Sequence, residues 1–266
     1  MSETIVRSES NGVLSLALNR PDKLNAFNEP MTEALLAGLT YAARTDAVRV
    51  VVISGVGRGF SSGQDLEAFV RLQQGPDKVS VADHLRRGYN VVASRLRRLD
   101  KPVIASMNGI AAGVGLSLAL SCDLRIAADD ALFTLGFSRI GLIPDGGGSL
   151  LLPVLVGLGR ALELAMTSDR IDAREAHRIG LVNRVVPAAE LAPATQALAA
   201  QLAAMPQLAL ALTKRAFNRA VLPQFEAWLE DEAVMQDAAA HGPDHAEGVH
   251  AFVEKRKPAF AGAPTA

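Results

Sequence analysis

Apolar and polar positions first follow a two-residue rhythm. Residues 3–9 and 12–18 alternate on either side of Asn11-Gly12, which predicts a β-hairpin. A turn-rich loop from Asn19 to Phe27 leads into a helix over about 29–44, with Pro30 in its first turn. VRVVVISG, at 48–55, is a continuous β-branched run of the kind buried on both faces. Beyond a glycine- and serine-rich loop at 56–66 and a mobile-looking stretch at 72–80, one helix is predicted over 81–99, stopped by Pro102. A strand at 103–107, a helix at 113–121 and short strands at 123–128 and 131–135 follow, then a glycine-started helix broken by Pro153. Helical turns at 160–167 and 173–179 and a strand at 181–187 precede a tail, from Glu190 on, that is nearly all helix. Strands alternating with helices, followed by a helical tail, predict an α/β layered fold with a C-terminal helical appendage. No stretch repeats another.

Composition narrows this little. The 266 residues are 49% hydrophobic and 21% charged, as in an ordinary globular protein. Lys+Arg 27 against Asp+Glu 28 gives no global pull toward nucleic acid or an acidic membrane. The single cysteine, Cys122, lies in an apolar run and reads as a buried small hydrophobe. The N-terminus has no apolar signal region, and no apolar run approaches the ~20 residues that span a bilayer. These features point to a reduced, cytoplasmic enzyme.

The candidate chemistry gathers between Lys101 and Leu152. There a short β-branched run passes through Asn108-Gly109 and reaches Gly113-Val114-Gly115, where an apolar helix begins. A helix start leaves backbone N–H groups without intrahelical partners and carries partial positive charge. Small residues there let a substrate oxygen approach the main chain. Further on, Asp145 precedes three glycines and is the only acidic residue between Asp130 and Glu163. A main-chain donor site and an isolated carboxylate in one segment suggest an enzyme that makes and reprotonates a carbanion.

Five motifs in order carry a family resemblance: NRPDKLNAF, GFSSGQDL, KPVIASMNGIAAGVGLSLALSCDLRIAADDALF, IGLIPDGGG and EGVHAFVEKRKPAF. Together they resemble the crotonase, or enoyl-CoA hydratase/isomerase, superfamily. The resemblance implies stacked ββα units, with a core over 1–190 that holds coenzyme A and the active site. It implies a helical region over 191–266 for trimerisation and coenzyme A cover, and a homotrimer or dimer of trimers acting on acyl-CoA. No metal or redox cofactor is implied, since coenzyme A is part of the substrate, and neither nucleic acid nor membrane is an expected partner.

By position in the motifs, the amides of Gln64 and Val114 would stabilise a thioester enolate, framed by Ser62, Gly63, Gly109 and Gly113. The side chains at 64 and 114 would matter less than their backbone angles. Lys23 would face a coenzyme A phosphate, and the backbone near Leu24, Ala26, Asp65 and Leu66 would frame adenine and pantetheine. Lys255, Arg256, Lys257 and Phe260 form a basic and aromatic cluster that could reach coenzyme A or simply close a helix.

The acid–base groups depart from the hydratase pattern. Family hydratases use two glutamates, and the corresponding positions here are Ser117 and Phe137. Asp145 remains, as in some isomerases of the superfamily, and FSRIGLIPDGGG most resembles the branch that isomerises ring-epoxide thioesters in phenylacetate breakdown. One carboxylate suffices for a 1,3-proton shift. Burial near Leu135, Phe137 and Leu142 would raise its pKa toward a useful base, whereas capping a helix that starts at Gly146 would lower it. The reading is therefore an isomerase. Its rivals are a hydratase drawing on Glu67 or Asp83 and a silent acyl-CoA binder. The histidines, His84, His177, His241, His245 and His250, are scattered. His241/His245 straddle the helix-breaking Gly242-Pro243, and Asp123 reads as structural.

Overall fold

A computed structural model describes residues 3–74 and 79–260, with the side chains of 72–74 left aside. The hairpin forms as expected: β1 (Ile5–Ser10) pairs antiparallel with β2 (Val13–Leu18). Asn11 and Gly12 close it with φ of 51° and 79°, the left-handed pair that matches strand twist. α1 (Glu29–Arg44) is capped by Asn28, whose side chain accepts from the Met31 amide. Its buried stripe of Met31, Leu35, Leu39 and Ala42 follows helical spacing.

From there the chain repeats one plan. A strand in a large sheet passes to a short strand in a small one, and then usually to a helix. β3 (Val50–Gly55) leads to β4 (Gly59–Ser61), α2 (Leu66–Gln74), α3 (Val81–Arg87) and α4 (Tyr89–Arg98). β5 (Val103–Met107) leads to β6 (Ile110–Ala112) and α5 (Gly113–Ser121); β7 (Leu124–Ala128) leads to β8 (Leu132–Thr134), then α6 (Gly148–Val156) and α7 (Leu158–Thr167). The chain continues through β9 (Ile171–Asp172), α8 (Ala173–Arg178) and β10 (Arg184–Val186). It ends in α9 (Leu191–Ala204), α10 (Gln207–Val221), α11 (Phe225–Ala240) and α12 (Pro243–Val253).

The large sheet has the order β1-β2-β3-β5-β7-β10, parallel apart from the hairpin. The small sheet has the order β4-β6-β8-β9. A stacked ββα arrangement therefore exists although no sequence repeat announces it, because the second strand of each unit has three residues. α9 covers one face of the large sheet, with Leu191, Leu198 and Ala199 against Val50, Val52, Ile104 and Ile126.

Two expectations are corrected. The single helix over 81–99 is two, because Gly88 leaves the helical region (φ −114°, ψ −94°) and redirects the chain. The helix with Pro153 is not broken: α6 runs through it to Val156. A proline there removes one ladder bond, and the flanking leucines Leu151 and Leu152 stay in the core. The mobile-looking stretch includes 75–78, outside the described residues; on either side lie α2 and α3. No helix among the described residues is long and apolar enough to cross a membrane.

Candidate active site

The site is built where the loop before α1, the end of β4 and the start of α5 meet. Leu24 and Asn25 are left-handed without being glycine, at φ 49° and 56°. The fully buried Asn25 side chain holds that shape, accepting from the Arg20 amide (2.8 Å) and donating to the carbonyls of Val56 (3.0 Å) and Gly59 (2.8 Å). Arg20 donates to the Ala26 carbonyl and pairs with buried Asp65 at 2.8 Å. Burial alone would raise the Asp65 pKa, but the Arg20 hydrogen bond and the Ala68 amide outweigh it and hold the carboxyl below its usual value. The expected coenzyme A frame of Leu24, Ala26, Ser62, Asp65 and Leu66 is thus one connected unit, with the Ser62 amide bonded to the Leu24 carbonyl.

Phe27 donates to the Gly63 carbonyl and accepts from the Asp65 amide. That parallel bridge turns the intervening Gln64 N–H away from Phe27. Val114 is the second residue of α5, where backbone amides lack intrahelical acceptors. Glycines let the two segments close on each other. A Cβ on Gly63 (φ 96°) would lie 2.9 Å from the Ala112 carbonyl oxygen and 3.5 Å from the Gly113 Cα. One on Gly115 would meet Ser61 at 2.6 Å, and one on Gly109 would meet the Arg58 carbonyl oxygen at 2.2 Å. Backbones this close leave no room for side chains.

The Gln64 side chain, expected to be secondary, is engaged at its oxygen by two residues. Its Oε1 accepts from the Tyr89 hydroxyl and lies 3.1 Å from His84 Nε2. Tyr89 and His84 stack edge to face at 5.3 Å. Burial lowers the His84 pKa to about 4, leaving it neutral, and burial, then the neighbouring Asp145, raise that of Tyr89. Neither residue was singled out for this place. Both lie on either side of the Gly88 break, which hid their convergence.

Asp145 is 6% exposed. Its Oδ2 accepts from Gln236 Nε2 at 2.9 Å, and its Oδ1 has no hydrogen-bond partner. Burial pushes its pKa up to about 8, against the Gln236 hydrogen bond and with the Glu232 carboxylate raising it further. The capping alternative is not what forms. α6 starts at Gly148, with Gly147 at its cap and no side-chain cap bond. Its free amides, at Gly147 (2.8 Å) and Ser149 (3.0 Å), bond to the Glu232 carboxylate of α11. The glycine turn after Asp145 rests on α5: a Cβ on Gly146 would lie 3.3 Å from Val114 Cγ2, and one on Gly148 would lie 2.5 Å from Ser117 Oγ. Ser117 is fully buried, and Phe137, in the 3-10 turn Phe137–Ile140, is also buried; Leu142 is partly buried and its amide bonds to the Phe137 carbonyl.

Other candidates lie at the surface. Lys23 pairs with Glu67 at 2.9 Å, both half-exposed, and Asp83 pairs with Arg86. Arg256 is tied to Glu247 and Glu254, while Lys257 and Phe260 are exposed. Asp123 is structural, anchoring Lys214 at 2.7 Å and Arg97 at 3.2 Å. His245 faces the Ile140 carbonyl at 2.8 Å. Among the described residues no three His, Cys, Asp or Glu side chains gather as a metal site would need.

The chain thus places a two-sheet ββα fold, the glycine-rich start of α5 and the buried Asp145 carboxyl side by side. The family model for enoyl-CoA hydratase/isomerase matches residues 8–263, and the chain belongs to that family, within the crotonase superfamily. It is 41% identical over 262 residues to a 1,2-epoxyphenylacetyl-CoA isomerase of Escherichia coli, covering 98% of this chain and 100% of the relative. It is 40% identical over 263 residues to a probable enoyl-CoA hydratase of Rhodobacter capsulatus, with 98% and 100% covered. A crystal structure of an enoyl-CoA hydratase from Mycobacterium avium subsp. paratuberculosis superimposes with a TM-score of 0.86 at 37% identity, covering 97% of this chain and 98% of that one.

Proposed function

We propose that the protein is an acyl-CoA thioester isomerase in which Asp145 shuttles one proton across an enolate held by the Gln64 and Val114 amides. The observation that carries this reading is the buried Asp145 carboxyl, with one unpartnered oxygen, Oδ1, beside the start of α5. Asp145 removes a proton from the carbon next to the thioester carbonyl, or from its vinylogous position. The electron pair moves into the carbonyl oxygen, where preorganised N–H dipoles receive it. The same carboxyl then returns the proton to another carbon, and no water is consumed.

Suitable substrates are a 3-enoyl-CoA, whose double bond moves into conjugation, or the ring epoxide of an aromatic acyl-CoA. The likeness to an epoxyphenylacetyl-CoA isomerase favours the second. Coenzyme A enters along the loop of Leu24 and Ala26, with Lys23 and the Lys257–Phe260 region as phosphate and adenine candidates. The exposed Leu208, Leu212 and Phe217 of α10 suit a homotrimer or dimer of trimers. A hydratase drawing on Glu67 or Asp83 is disfavoured, because both are surface residues engaged in ion pairs.

The test is solvent-deuterium exchange with product analysis. Wild type and Asp145→Asn are each given 3-enoyl-CoA, 2-enoyl-CoA and a ring-epoxide thioester. Isomer formation with label uptake in the wild type alone is the expected result. Hydroxyacyl-CoA formed equally by both proteins would remove Asp145 from the mechanism, and binding without exchange on any thioester would leave a silent binder.

A further inference from the structure

α11 belongs to the region expected to serve assembly, yet its buried stripe carries two polar residues one turn apart. Phe225, Leu229, Glu232, Ala233 and Gln236 face inward, and Glu232 and Gln236 are fully buried. Both grip the Asp145 turn. Gln236 Oε1 accepts from the Ile143 amide (2.8 Å), and its Nε2 donates to the Ile143 carbonyl (2.9 Å) and to Asp145 Oδ2 (2.9 Å). A flipped amide would set oxygen against two acceptors, so the Ile143 pair locks the donor toward Asp145. Glu232 holds the other side of the turn through the Gly147 and Ser149 amides and the Ser149 hydroxyl.

Resting on the isomerase reading, we propose that Gln236 and Glu232 are positioning residues: Gln236 reserves Oδ2 so that Oδ1 alone carries the travelling proton, and Glu232 sets by its charge how tightly Oδ1 holds it. In each transfer a substrate C–H breaks as Oδ1–H forms, and the electron pair enters the enolate. That O–H then breaks as the new C–H forms, while Oδ2 stays on Gln236. No co-reactant is needed.

The two residues act in opposite senses. A donor to the ionised carboxyl favours its charge, and a nearby second carboxylate disfavours it. The other elements around the turn leave Glu232, whose own pKa burial raises to about 7, as the neighbour that acts on Asp145 in its charged form. Tyr89 on α4 and His84 on α3 are neutral. Asp237 on α11 accepts from the Ala82 amide. Asp244 and His245 lie on α12, where His245 faces Ile140, Arg139 is bonded to Ser168, and α5 presents uncharged Val114 and Ser117.

The experiment follows the Asp145 carboxyl directly, by NMR of protein carrying ¹³C-labelled aspartate, with its resonance identified by its loss in Asp145→Asn. Its titration midpoint is expected to rise by about one pH unit in Gln236→Met and to fall by about one in Glu232→Gln. Label exchange into substrate at pH 7 then drops about tenfold in the first and rises severalfold in the second. Mere loosening of the site would admit water and lower both midpoints, so shifts of the same sign, or none, overturn the proposal. Should Glu232→Gln fail to fold, Gln236→Glu takes its place. It sets a second carboxyl against Oδ2, and a midpoint no higher than that of Gln236→Met overturns the proposal. The titration needs no substrate. Absence of exchange by the wild type on every thioester therefore overturns the isomerase reading beneath it, whereas absent opposite shifts with exchange present overturn the positioning roles alone.

Discussion

Asp145→Asn should remove activity and, at neutral to alkaline pH, stabilise the fold. The folded carboxyl is pushed up to about 8 by burial, while in the unfolded chain an aspartate titrates near 4. Between those values the folded state binds the extra proton, so wild-type stability is fully present below about pH 4 and declines as pH rises toward 8. At about 1.4 kcal/mol per pH unit, that gap is on the order of 5 kcal/mol. The asparagine amide keeps an oxygen to accept from Gln236, but its NH₂ faces the place where Oδ1 has no partner, a cost of about 1–3 kcal/mol. The variant should therefore be level with or below wild type at pH 5 and above it by a few kcal/mol at pH 8. Urea unfolding of both proteins across that range gives the difference curve, in which most other titrating groups cancel. Parallel curves, with a constant offset from pH 5 to 8, would refute the claim that burial keeps Asp145 protonated.

In the wild type, kcat/KM for isomerisation should rise with pH through about 8 and level off, because the base form starts the reaction and this parameter reports the free enzyme; a profile flat from pH 6 to 9 would count against Asp145 as base. Gly63→Ala places a Cβ 2.9 Å from the Ala112 carbonyl oxygen at φ 96° and so displaces the Gln64 amide. Turnover should drop about 10²–10³-fold, read by steady-state kinetics. Ser117→Glu should not create a hydratase, since the Gly148 backbone already closes on that side chain; a thermal melt should show a loss of about 2–4 kcal/mol, with no hydroxyacyl product. Glu67→Gln and Asp83→Asn should each leave isomerisation within about twofold, as expected of surface ion pairs.

The long elements were legible because burial wrote a period into them. The Asn11-Gly12 hairpin, the stripe of α1 and the continuous run of β3 needed only pattern and turn chemistry. The small sheet was not legible as a whole: β4, β6, β8 and β9 have two or three residues each, too few for any period, and are extended only because they pair with one another. Gly88 sat inside an otherwise unbroken helical pattern, where a glycine costs about 1 kcal/mol and need not end a helix. Tertiary packing decided that it does. Gln64, Val114 and Asp145 stood out in the motifs as candidates, but the contacts that support them did not. Glu232 and Gln236 did leave a signal, as polar residues at the spacing of Phe225 and Leu229 on one helix face; it marks a buried network without saying what it holds.

On the isomerase reading, that network lets one carboxylate serve where hydration would use two. Hydration needs an acid and a base at different points, with space for water between them. The positions where the family resemblance puts those groups hold a buried serine and a buried phenylalanine, and the glycine turn is packed onto the serine. What the site retains is a carboxyl whose charged and neutral forms are close in free energy near neutral pH, which a reversible proton shuttle requires. Burial alone would drive Asp145 further from ionising, and Glu232 adds to that push. Gln236 opposes both through a single hydrogen bond to Oδ2. The balance depends on a helix more than eighty residues downstream of the turn it grips. A C-terminal region present only for assembly would have no need of a buried glutamate and glutamine at those two positions.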